Sequence, residues 1–81
     1  MQLCRVVGST VATVKAPGLA DFKLLNLVPA NGSGPELVAA DGVGAGVGDL
    51  VLVALGSAAR ELEGTRGLAI DAAIVAIVDQ S

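Results

Sequence analysis

The residues with the best claim to chemistry are the glycine run Gly42-Val-Gly-Ala-Gly-Val-Gly48, Ser57 and eight scattered carboxylates. A glycine run can cradle phosphates on its backbone N–H groups when it joins a strand to a helix. That chemistry needs G-x-G-x-x-G spacing, or a glycine followed by lysine and Ser/Thr. Here the glycines alternate with single residues, the segment after them is strand-like, and no lysine follows Lys23. The run therefore reads as a turn that needs positive φ angles or close backbone approach. No cofactor is expected.

Ser57, in Gly56-Ser-Ala-Ala, lacks the G-x-S-x-G frame of an activated nucleophile. The chain has no histidine and no tyrosine, which removes the commonest general acid or base. A metal would have to be held by carboxylates alone. Asp21, Glu36, Asp41, Asp49, Glu61, Glu63, Asp71 and Asp79 show no ligand spacing. Glu61 and Glu63, two apart, do not share a helix face. Cys4 is the single cysteine, so no intrachain disulfide can form, and it reads as a small buried hydrophobe. Neither an enzyme nor a metal protein is expected.

The elements that would carry these residues are short apolar strands. In 81 residues, 53% are hydrophobic and Phe22 is the only aromatic, so the core is Val, Ala, Leu and Ile. Strands are expected at Met1–Val14, with Gly8 as a bulge or bend, at Phe22–Val28, Glu36–Ala40, Asp49–Leu55 and Ala72–Val78. In the second of these, Phe22, Leu24 and Asn26 share one face, with Lys23, Leu25 and Leu27 on the other. Asn31-Gly32 has tight-hairpin chemistry. Gly56–Glu63 is expected to form one or two helical turns, with Ser57 as N-cap and Gly64 near the end. The fold class is therefore all-β, a small five-stranded OB-like barrel with one short helix.

Two strands are apolar on both faces. In Leu50-Val-Leu-Val-Ala-Leu55, Leu50, Leu52 and Ala54 point one way while Val51, Val53 and Leu55 point the other. Ala73-Ile-Val-Ala-Ile-Val78 behaves alike. Such strands are covered on both sides, yet a chain this short buries only about 60% of its unfolded surface. A homo-oligomer is the economical cover. The alternative cover is the chain's own short helix and long first strand. Val51 and Val53 are candidate subunit-interface residues. Arg60 and Asp71, charges beside these strands, are candidates for pairing across the interface or for solvated strand ends.

The net charge of −3, with the cations Arg5, Lys15, Lys23, Arg60 and Arg66 scattered singly, argues against a nucleic-acid partner. No apolar run approaches the roughly 20 residues of a membrane span. A soluble, cytosolic chain is expected. The alternative function, an OB-like small-ligand or nucleic-acid-binding module, would require exposed aromatics and a basic groove.

Several blocks resemble the vertex proteins of bacterial microcompartments, the CcmL/EutN family. They are Leu3-Cys-Arg-Val-Val-Gly8, Val11-Ala-Thr-Val-Lys15, Lys23-Leu-Leu, Val38-Ala-Ala-Asp-Gly-Val-Gly-Ala-Gly46, Leu52-Val, Gly56-Ser-Ala-Ala-Arg60 and Ile70-Asp-Ala-Ala-Ile-Val-Ala-Ile-Val-Asp79. The resemblance covers nearly the whole chain. It implies a cyclic homopentamer that caps the fivefold vertices of a polyhedral shell otherwise built from hexameric shell proteins. It also implies a narrow axial opening, for which Gly56, Ser57 and Ala58 are the candidate lining residues. The connection Pro29–Pro35 is shorter than in carboxysomal members.

Overall fold

In the first strand, residues alternate between core and surface. Cys4 and Val6 are buried while Leu3 and Val7 face outward, half exposed, as period-two side chains of a one-sided strand do. The computed structural model describes residues 1–10, 23–60 and 71–79. The elements are β1 (Gln2–Thr10), β2 (Lys23–Pro29), β3 (Leu37–Asp41), β4 (Leu50–Leu55), α1 (Ser57–Arg60) and β5 (Ala72–Ile77). Each expected strand is present with its ends moved slightly. The outer part of the expected first strand, Phe22, and the expected helix end near Gly64 lie outside the described residues.

The five strands close into a barrel in the order β1-β2-β3-β5-β4. Consecutive strands β1 and β2, β2 and β3, and β4 and β5 pair antiparallel. Closure comes from antiparallel β1 with β4 and from a short parallel pair, β3 with β5. This is the small OB-like barrel, closed by a β3–β5 pairing of two register positions, Ala40 with Ala73 and Asp41 with Ile74.

Register explains the interior. Cys4 lies opposite Val51, and Val6 opposite Leu27; these four, with Leu25, Ala39, Val53, Ala72 and Ile74, form the main core. The expected split of β2 holds where it is described, with Leu25 and Leu27 inside and Leu24 and Asn26 partly exposed. The β1–β2 register shifts between Val6 and Gly8, which makes Val7 the extra residue of a bulge. Gly8 is thus at the bulge, as expected.

Asn31-Gly32 does not make a two-residue hairpin. β2 runs on to Pro29 and β3 begins only at Leu37, so a longer connection joins them. Within it, Gly34 lies close to the end of β2: a Cβ there would be 3.1 Å from the Pro29 ring.

Part of the outer wall is covered by the chain itself. Leu24, Ala40, Ala73 and Ala54 follow one another across β2, β3, β5 and β4. Ala54 and Ala73 pack with Ala59 of α1, all three nearly inaccessible, with Val75 against them. Methyl-sized side chains at these positions let the helix approach the sheet closely. The short helix therefore supplies some of the second-face cover that the apolar strands demand.

Candidate functional site

The glycine run is a plug rather than a cradle. Asp41, at the end of β3, has a fully buried side chain. Its Oδ1 accepts the Val43 N–H at 3.0 Å and its Oδ2 the Ala45 N–H at 2.9 Å. Those two bonds fold the loop inward, and Ala45 seats in the main core with 1% exposure. Lys23 Nζ lies 3.6 Å from Asp41 Oδ2 and donates to the Ala45 carbonyl at 3.0 Å. The far side of the loop is fastened by Asp49, whose Oδ2 accepts the Gly46 N–H at 2.8 Å. Gly48 N–H donates to Val6 O at 2.9 Å, and Arg5 Nη1 to Gly48 O at 3.0 Å.

Gly44 and Gly48 carry φ angles of 86° and 93°, a region that L side chains rarely adopt. So the positive-φ reading of the run is right for these two glycines. The loop's inward amides are committed to Asp41, which leaves them nothing for a phosphate.

At the end of β4 the chain forms an exposed tip, Leu55-Gly56-Ser57-Ala58, before Ala59 turns back into the wall. Gly56 has φ 60°, its N–H donates to Asp71 O at 2.7 Å, and its carbonyl accepts the Ala59 N–H at 3.1 Å. Ser57 is thus the first helical residue, and Gly56 stands in the cap position expected for Ser57. The reason is local: only glycine adopts this left-handed conformation cheaply where a strand must turn directly into a helix. The three candidate lining residues, Gly56, Ser57 and Ala58, are contiguous and exposed, and the bond to Asp71 brings that residue to the same tip. Asp71 is itself exposed. Arg60 closes α1, and its side chain lies outside the described residues.

Val51 and Val53 are at 0% exposure within the single subunit. They cannot present side chains to a neighbour, so their expected place in a subunit interface is corrected. Pairing opposite inward-facing Cys4 turns the odd residues of β4 into the barrel, since a strand's two faces alternate strictly.

The face of β4 that points outward is the opposite one. Leu3 lies opposite Leu52, and Leu52 opposite Ala76, which makes one outward apolar row across β1, β4 and β5. Leu3 is 46% exposed, and Leu52 and Ala76 are partly exposed. Sequence reasoning missed this row because both faces of β4 are equally apolar. The usable signal was Cys4: a buried Cys4 puts Leu3 outward, but carrying that parity to β4 requires the register.

Cys4 is the described chain's one thiol and is buried. Removal from water pushes its pKa up, because burial disfavours the thiolate. It is chemically quiet at neutral pH.

Likeness to known proteins adds to this geometry. The family model described as "Ethanolamine utilisation protein EutN/carboxysome" matches residues 1–79. The bacterial microcompartment shell vertex protein PduN of Salmonella typhimurium is 45% identical, over 98% of this chain and 96% of its own length. The solved structure of Gloeobacter violaceus CcmL superposes with a TM-score of 0.84 at 39% identity, covering 100% of this chain and 88% of that one. That of GrpN, a pentameric microcompartment shell protein from Rhodospirillum rubrum, superposes at 0.77 with 38% identity, over 99% and 95% of the two chains. With a family model matched across nearly its whole length and the same closed barrel as these shell proteins, the chain belongs to the EutN/CcmL family.

Proposed function

We propose that this chain is the vertex subunit of a bacterial microcompartment shell, in the bacterial cytoplasm, and works as a closed ring of five identical copies. The observation that carries the reading is the Leu3–Leu52–Ala76 row. It is an apolar strip on the outer wall of a closed barrel. Covering it with a different patch of an identical subunit gives a heterologous contact, and such a contact closes into a ring when its rotation fits. The likeness to a pentameric shell protein supplies the number five. A sheet of hexameric shell proteins is flat, and pentamers introduce the curvature that closes it. Hexameric shell proteins are therefore the partners of the ring, and its role is structural rather than catalytic.

Purified protein is expected to run in native mass spectrometry as an assembly of five 7.9 kDa chains. A stable monomer or a hexamer would overturn the vertex reading.

In such a ring the exposed Gly56-Ser57-Ala58 tips converge on the fivefold axis, where small residues leave a narrow opening. Arg60 and Asp71, flanking the tip, fall near the subunit boundary. Ser57→Cys tests this placement against the quiet background of Cys4. The variant is expected to label with a thiol reagent in the native state and to form disulfide-linked chain pairs on mild oxidation. The parent protein should do neither until unfolded. Labelling without any cross-linking in an intact ring would move the tips away from the axis.

A further inference from the structure

We propose that Asn31 is the site of a spontaneous backbone modification: its side-chain amide is attacked by the Gly32 nitrogen, leaving aspartate or isoaspartate in the β2–β3 connection. The proposal stands apart from the shell assignment. It rests on the turn geometry and on a control residue built into the same chain.

The reaction needs an asparagine followed by an unhindered residue, in a segment free to bring the next amide nitrogen onto Cγ. The Gly32 nitrogen forms a bond to Cγ, the Cγ–Nδ2 bond breaks, and ammonia leaves with the proton from the Gly32 N–H. The product is a five-membered succinimide. Water then adds to one of its two carbonyls and breaks that carbon's bond to nitrogen. Opening on the side-chain carbonyl gives aspartate. Opening on the main-chain carbonyl gives isoaspartate, which routes the backbone through one extra methylene.

Asn31 meets these requirements. Residues 30–35 are all exposed, and a Cβ at Gly32 would meet nothing within 4 Å. Oδ1 of Asn31 accepts the Ser33 N–H at 3.0 Å, which draws electron density from Cγ and makes it a better electrophile. One bond opposes the attack: the Gly32 N–H donates to Pro29 O at 3.0 Å. It is a single turn bond whose donor residue is exposed, of the class that opens with little free energy. Gly32, with φ 75° and no side chain, can swing as it opens.

Asn26, the chain's other asparagine, is the contrast. It sits within β2, paired with Gly8 and Val38. Its Oδ1 accepts the Thr10 hydroxyl, and branched Leu27 follows it. Attack there would require breaking the sheet.

The change is not silent in its position. Asn31 completes, with Gln2, Leu3, Pro29 and Ala30, a surface depression of about 400 Å³. The reaction sets a carboxylate in that wall beside Leu3, and the Ala30 N–H to Leu3 O bond of 3.0 Å ties the two segments together.

The test incubates the purified, assembled protein in mildly alkaline buffer and follows the tryptic peptide Leu24–Arg60, which holds both asparagines, by fragmentation mass spectrometry. Amide-to-acid exchange is expected at Asn31 at least about tenfold faster than at Asn26, the ratio given by a barrier difference of about 1.4 kcal/mol. Two product peaks should appear at Asn31, one of them isoaspartate. Asn31→Gln should abolish them while the protein keeps its melting temperature. Exchange at Asn31 that appears in urea but not in the native protein would show that the turn protects it, and would overturn the proposal. Equal native rates at the two asparagines would do the same.

Discussion

Leu52→Glu leaves the barrel folded and takes the ring apart. Leu52 points outward between Leu3 and Ala76, so the carboxylate of a free subunit is solvated and the interior core is untouched. In the proposed ring the same carboxylate is taken out of water at the subunit contact. An uncompensated buried charge costs about 3–5 kcal/mol, and each 1.4 kcal/mol is about tenfold in affinity. Each of five equivalent contacts is therefore weakened more than about a hundredfold. Native mass spectrometry should show monomers, with the far-ultraviolet circular dichroism of the parent. The same change at Val38, 46% exposed but opposite polar Asn26 on another part of the wall, should leave the ring intact. A Leu52→Glu protein that still assembles in fives would place the interface on a different face.

Asp41→Ala produces the largest expected loss of stability among polar substitutions in the described chain. The two backbone N–H groups of Val43 and Ala45 lose a fully buried carboxylate, and hydrogen bonds to a charged group contribute about 1.5–3 kcal/mol each. The Lys23 ion pair adds little, because that lysine's side chain is 60% exposed and exposed pairs are worth at most about 1 kcal/mol. A total of about 3–6 kcal/mol is expected, and for a domain of this size each kcal/mol lowers the melting temperature by about 4–8 °C. Thermal denaturation followed by circular dichroism should show this drop. Asp41→Asn should fall between, since an amide can offer an acceptor to one of the two N–H groups only. Lys23→Ala should cost little. A melting temperature for Asp41→Ala within a few degrees of the parent would mean that Ala45 is not held in place by this carboxylate.

These two residues mark what could be read before folding and what could not. The strands at Leu50–Leu55 and Ala72–Ile77 were legible because short apolar runs rich in β-branched residues, bounded by turn signals, fit strands covered on both faces. The bulge at Gly8, the buried Cys4 and the positive φ at Gly44 and Gly48 followed from residue type alone. Asp41 gave no such signal. One aspartate among eight carboxylates looks like a solvated charge until β3 delivers it to the barrel end beneath a loop whose amides need an acceptor. Ser57 was read as the helix cap because its side chain suits that position, but the abrupt strand-to-helix turn required the glycine before it.

Residue types and their order were enough to set an all-β chain, short of aromatics and of acid–base groups, with more apolar strand surface than one small core can hold. They also carried the family, in ordered blocks along most of the chain. Which side of each two-faced strand is inside was settled by strand pairing. Alternation fixes that Val51 and Leu52 point in opposite directions, but not which of them points inward. That choice is made by the partner strand, when Cys4 and Val6 turn the opposite residues of β4 toward the core and leave Leu3, Leu52 and Ala76 on the wall. A local period cannot contain that information, because it is set by a pairing between residues far apart in the chain.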